Sequence, residues 1–260
     1  MSPSTFEAVL ARDRVIVVAA LTSVVVAAWL YLFAGAGMGH AGMGDMSMAD
    51  MRPRWSAGYV AVMALMWIVM MAAMMLPSAA PMVLVHAAIY RRRAAAGGAW
   101  RSNTLFVLGY LASWTLFSLA AVGLQWALAE RALLSPMMHM SSTALAAALF
   151  VGAGIYQWTP LKQACLRRCR SPLDFVMTYW REGALGSFVM GVRHGSFCLG
   201  CCWMLMLLLF VGGLMNLAWV AGIAAFVLVE KLAPAGHWIG KVAGLVLLAW
   251  GLYVLAQLRV

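Results

Sequence analysis

The side chains best able to do chemistry in this 260-residue sequence are its soft sulfur and imidazole groups, and they are clustered. Three cysteines lie within five residues in GVRHGSFCLGCCW, residues 191–203. On a helix, His194, Cys198 and Cys201 stand at i, i+4 and i+7, on one face, and Cys202 sits one turn beyond Cys198. Glycines 195 and 200 permit close backbone approach or a non-helical turn. A second pair, Cys165 and Cys169, lies in the basic run LKQACLRRCR, where Arg167, Arg168 and Arg170 favour thiolate. This run either folds against the Cys198 cluster and completes a site, or forms an amphipathic helix on anionic lipid. Thiolate and thioether sulfurs are soft donors that select Cu(I) among common cell metals. Cys₃His is also a regular zinc set, so zinc is the rival.

The thioethers are placed elsewhere. The chain has 21 Met, and the polar segment 35–56 holds Met38, His40, Met43, Met46, Met48 and Met51. A flexible segment with such spacing can gather three or four sulfurs around one ion. Asp45 and Asp50 add harder oxygen donors to the same stretch. Met137, Met138, His139 and Met140 form a second group, within residues 129–141. Between them, Met63, Met66, Met70 and Met74 share one helical stripe, and Met71, Met75, Met82 and His86 an adjacent one. That pattern suits a relay of weak thioether sites; it equally suits deformable core packing. His86, close to Pro81 in an apolar run, requires a partner.

The elements that must position these groups are transmembrane helices. The chain is 65% hydrophobic and 10% charged, with mean hydropathy +0.90. A soluble domain carries about 25% charged residues, so too little charge is available to cover a surface in water. The expected fold is all-α, a single membrane domain over 1–260 with about seven helices. They span about 15–33, 59–90, 104–128, 142–158, 184–213, 215–229 and 238–257. The first is read as a retained helix, since its apolar core is long for a signal peptide. Two stretches, 59–90 and 184–213, exceed one span. Pro77 and Pro81 are expected to kink or tilt the first. Four glycines and Arg193-His194 are expected to break or bend the second.

The charges orient the bundle. With the N-terminus inside, only Arg52, Arg54, Arg131 and Arg259 of the 18 Lys and Arg fall outside. The other fourteen fall on the cytoplasmic side, including Lys162, Arg193, Lys231 and the segment 161–183. This bias supports an N-in, C-out arrangement in a bacterial cytoplasmic membrane. It also accounts for the net charge of +10 without a nucleic-acid partner. All five cysteines then lie near the reducing cytoplasm, and the Met/His segments face the oxidising side. Thioethers form no disulfides and persist where clustered thiols are lost.

Several segments resemble a known family. They are Met66-Trp67, AMMLP (73–77), YQWTPLK (156–162) with Cys165 and Cys169-Arg170, and HGSFCLGCCWMLM (194–206). Together with Met215-Asn216 and Glu230-Lys231 they resemble the bacterial family of predicted metal-binding integral membrane proteins. The resemblance covers most of the chain after about residue 57, and it implies metal binding without a defined substrate. The segment 35–56 lies outside it.

The leading expectation is a membrane protein handling Cu(I), as a transporter or a delivery factor, partnered by the lipid bilayer, the ion, and a copper chaperone or membrane complex. No GxxxxGK[ST] motif is present, and no catalytic or organic-cofactor set is assigned. Two alternatives remain open: a membrane thiol–disulfide electron carrier built on Cys198 and Cys201, and an accessory subunit of a larger complex.

Overall fold

The computed structural model describes residues 3–36, 55–93, 99–135 and 138–258. Every regular element among them is a helix. They are α1 (Pro3–Phe33), α2 (Ala57–Arg93), α3 (Ala99–Glu130), α4 (Thr143–Tyr156), α5 (Pro160–Arg170), α6 (Pro172–Tyr179), α7 (Gly183–Leu207), α8 (Leu209–Gly212), α9 (Leu217–Leu232) and α10 (Gly236–Gln257). The all-α bundle expected from hydropathy is what forms.

Five segments are long and apolar enough to cross a membrane: Arg14–Phe33, Ala57–Arg93, Trp100–Glu130, Gly183–Gly212 and Gly236–Gln257. The helix expected over 142–158 ends at Tyr156, and the chain bends by 65° into α5. Thr159 caps α5 by accepting from the Lys162 backbone N–H, and Pro160 supplies its first residue. The bent pair counts as a sixth candidate span. At 16 residues, α9 is about 24 Å long, short of the roughly 30 Å apolar core. The outer faces of α1 and α10 expose Val15, Leu30, Phe33, Leu245, Val246, Trp250 and Leu252. Contiguous apolar surface of this kind suits lipid rather than water.

Neither proline interrupts α2, which runs as one helix for 37 residues. The second long stretch is interrupted as expected, but not at the glycines or Arg193-His194. α7 passes through all of them, and the interruption comes at Leu208, before α8. The glycines serve packing instead. Gly191 lies against the Phe106 carbonyl, Gly195 against Ser113 and the Tyr110 carbonyl, and Gly109 against the Phe188 carbonyl. Helices in lipid associate through close van der Waals contact, which small residues allow. The α3–α7 pair is accordingly the most extensive in the bundle.

The structure also differs at Glu230 and Lys231, which fall outside the helix expected over 215–229. Both lie inside α9 and are buried, and the turn comes after Leu232.

Candidate metal centre

α2 buries its methionine face. Met63, Met66, Met70, Met71, Met74, Met75 and Met82 are all at most 2% exposed, so both stripes face protein, not lipid. Met70 and Met74 are therefore core residues in the path between the two ends of the bundle.

At the heart of that core, α7 presents Cys198, Cys201 and Cys202, all buried. Their spacing puts the sulfurs on one helical turn: Cys201 and Cys202 both donate to the Cys198 carbonyl, each at 3.0 Å. α5 folds onto this turn. Cys169 makes side-chain contact with Cys198 and Cys201, and Cys165 packs its sulfur against Gly200. Tyr156, at the end of α4, donates its hydroxyl to the Gly200 carbonyl and pins the same turn. Of the two fates open to the basic run, the structure takes the one that brings its cysteines to the Cys198 cluster. All five cysteines are free thiols.

Three polar groups complete the centre. The Lys231 Nζ donates to Cys198 Sγ at 2.9 Å and to Ser78 Oγ at 3.2 Å. Tyr110 Oη lies 3.0 Å from Cys198 Sγ and donates to the Met75 carbonyl at 3.1 Å. Cys198 is thus the hub, touched from α3, α5 and α9. The sequence reading missed Lys231 because it counted that cation with the cytoplasmic loop charges. Arg193, the cation next to His194 in the sequence, is instead exposed on α7, its guanidinium 3.9 Å over the Tyr179 ring. A lysine at the end of an apolar helix ordinarily extends its ammonium to the interface, so its position in the sequence gave no sign of a buried partner.

Lys162 and Glu230 were missed for the same reason. They form a fully buried ion pair, with Nζ–Oε1 2.7 Å and Nζ–Oε2 2.9 Å. Removing either partner from such a pair leaves an uncompensated charge. Arg170 reinforces this lock by donating to the Ala233 and Pro234 carbonyls past the end of α9. α5, which carries two thiols, is thereby fastened to α9, which carries the ammonium.

The histidines divide. His194 is buried beside the centre, its ring against Tyr110 at 5.6 Å and Phe175 at 5.3 Å. Its Nδ1 has no hydrogen-bond partner among the described residues. His86 finds the partner it required in Asn103, at 3.3 Å from Nδ1, and stacks on Phe106 at 4.6 Å. Its Nε2 has no hydrogen-bond partner among the described residues. His139 is exposed, with Nδ1 3.4 Å from the Met140 carbonyl. Met38, His40, Met43, Met46, Met48 and Met51 lie outside the described residues.

Among the described residues, no three His, Cys, Asp or Glu side chains stand ready-made around a metal position. The thiols point to backbone carbonyl, phenol and ammonium. The donor set still suits a soft monovalent cation, which needs fewer ligands than a tetrahedral ion.

Comparison with known proteins adds one finding. No curated protein and no solved structure matches the chain. A family model described as a copper chaperone, PpoB2, matches residues 64–254, a stretch that contains every residue of the thiol centre. The chain therefore belongs to the PpoB2 copper chaperone family, which supports a copper-handling role.

Proposed function

We propose that the protein is a membrane delivery factor for Cu(I), collecting the ion on an outer Met/His face and holding it at the inner thiol centre for transfer. The observation that carries this reading is the convergence of Cys169, Cys198, Cys201 and Cys202 on one buried turn, with the Lys231 ammonium on Cys198. Copper is the cargo here, and the chain supplies the donors. Its ligands are Cys198 and Cys201, with Cys202, Cys169, Cys165 and His194 as further donors that can rotate in.

The charge arithmetic favours Cu(I). One Cu(I) with two thiolates carries a single negative charge, and the Lys231 ammonium makes the set neutral. A neutral set can sit in a water-poor interior, where an unpaired charge is expensive. Position agrees. Counted from Ala57, Met75 lies about 27 Å along α2, towards the far side of a roughly 30 Å apolar core. The centre beside Met75 is then reachable from the cytoplasm in the N-in, C-out arrangement.

The test is Cu(I) titration of the purified, reduced protein against a competing chelator. One tightly held ion is expected, lost in Cys198→Ser and nearly unchanged in Met43→Leu. Stoichiometric zinc that Cu(I) does not displace would overturn the reading. So would a reducible Cys198–Cys201 disulfide in the isolated protein, which would mark an electron carrier.

A further inference from the structure

At the opposite end of the methionine stripe from the thiols, two sulfurs from distant parts of the chain meet on one nitrogen. The Gln125 side-chain amide, buried in α3, donates from Nε2 to Met63 Sδ at 3.6 Å and to Met138 Sδ at 3.5 Å. Its orientation is fixed chemically. Trp67 Nε1 can only donate, and it donates to Gln125 Oε1 at 2.8 Å, so the amide N–H₂ must face the sulfurs. Thioethers are weak acceptors, and among the described residues they are the partners that amide nitrogen has.

The loop is built to bring Met138 there. Met138 has φ of 57°, a left-handed conformation that costs a non-glycine residue energy and survives only where its surroundings enforce it. The enforcement is visible. Met138 N–H donates to the Ser135 carbonyl, Ser135 N–H to the His139 carbonyl, and Met140 N–H to the Phe210 carbonyl on α8.

We propose that Met63 and Met138 form an outer Cu(I) site, with Gln125 as a positioning residue that holds the two thioethers converged until the ion replaces its weak hydrogen bonds. This rests on the copper-handling reading above and deepens it, by naming where the ion first leaves water. The two-sulfur set is neutral and unaffected by oxidising conditions that would pair thiols. It also opens onto the stripe. From Met63 to Met75 is about 18 Å of helix lined by buried thioethers, and the Met75 carbonyl holds the tyrosine that touches Cys198.

The experiment separates this site from the thiol centre. Full-length protein with Cys165, Cys169, Cys198, Cys201 and Cys202 all changed to serine is titrated with Cu(I) under anaerobic reducing conditions. Binding is read by chelator competition and by X-ray absorption at the copper edge. A weaker, sulfur-coordinated ion is expected to remain. Met63→Leu and Met138→Leu should each weaken that same ion more than about tenfold, while Met140→Leu leaves it in place. Met138 lies in a loop, so its substitution keeps the test valid if the core change Met63→Leu prevents folding. Affinity and copper-edge spectrum unchanged by both substitutions would overturn the proposal, whatever the thiol centre does. Loss of tight binding in Cys198→Ser alone, with the outer ion intact, is a result about the centre only.

Discussion

The two ends of the methionine stripe hold sulfur in opposite ways. At Met63 and Met138 the donors are neutral, and a neutral amide positions them. At Cys198 the donors can ionise, and a buried ammonium stands on the hub sulfur. On the proposed reading, the first arrangement would bind a soft cation weakly and without proton exchange. The second would bind it tightly, release protons in doing so, and work only where thiols stay reduced. An ion passing from one to the other moves from weaker to stronger donors and needs no nucleotide. The contrast also assigns different dependencies: the outer pair depends on a loop and one amide, while the thiol centre depends on how α5, α7 and α9 are fastened together.

That fastening offers the largest effect. Lys162→Met leaves Glu230 buried without its cation, which should destabilise the protein by about 3–5 kcal/mol. The loss should be local to the thiol end, because the pair joins α5 to α9 there. Cys169 should become rapidly accessible to a thiol reagent, and Cu(I) at the centre should weaken. Retention of the outer ion in the same variant would sharpen the contrast. Equal loss at both ends would break it, by showing that the bundle fails as one unit.

Next in size is Lys231→Met, which keeps the volume of the stem and removes the charge. The centre with Cu(I) bound would then carry an uncompensated negative charge. Affinity should fall about 10- to 100-fold, the range typical of losing a group that supports metal ligands. Arg193→Met, which removes an exposed cation stacked on Tyr179, should change it little. If Arg193→Met is the more damaging of the two, the buried ammonium has been given the wrong role.

These two lysines show how far the sequence could be read. Periodicity and hydropathy carried the helices, because lipid leaves a chain few ways to satisfy its backbone. Spacing carried the cysteine turn, since i, i+3 and i+4 positions fall together on any helix. The arrival of Cys165 and Cys169 was legible only as one of two options, because the choice depends on the Lys162–Glu230 pair across 68 positions. Charge counting misfiled Lys162 and Lys231 because it treats every cation as a surface cation. The glycines of α7 were misread as breaks because a glycine's partner helix is not visible in its own segment. The Gln125 amide was invisible for the same reason, since its sulfurs come from α2 and from the loop after α3.

The smallest expected effect is the most diagnostic, because it is a difference in slope. Thiols must lose protons to bind metal, and thioethers have none to lose. Lowering the pH should therefore weaken Cu(I) at the Cys198 centre by up to about tenfold per pH unit for each proton displaced. In the variant with all five cysteines changed to serine, the ion at Met63 and Met138 should keep its affinity over the same range. His139 is exposed near this loop, and a pH response of the outer ion that vanishes in His139→Ala would mean that an imidazole shares the site. A flat profile at both ends would mean that the tight ion is not held by thiolates. A steep profile at both, surviving His139→Ala, would mean that the outer ion has ionisable ligands other than these two sulfurs. Only a sloped inner site beside a level outer one fits neutral sulfur at one end of the stripe and ionised sulfur at the other.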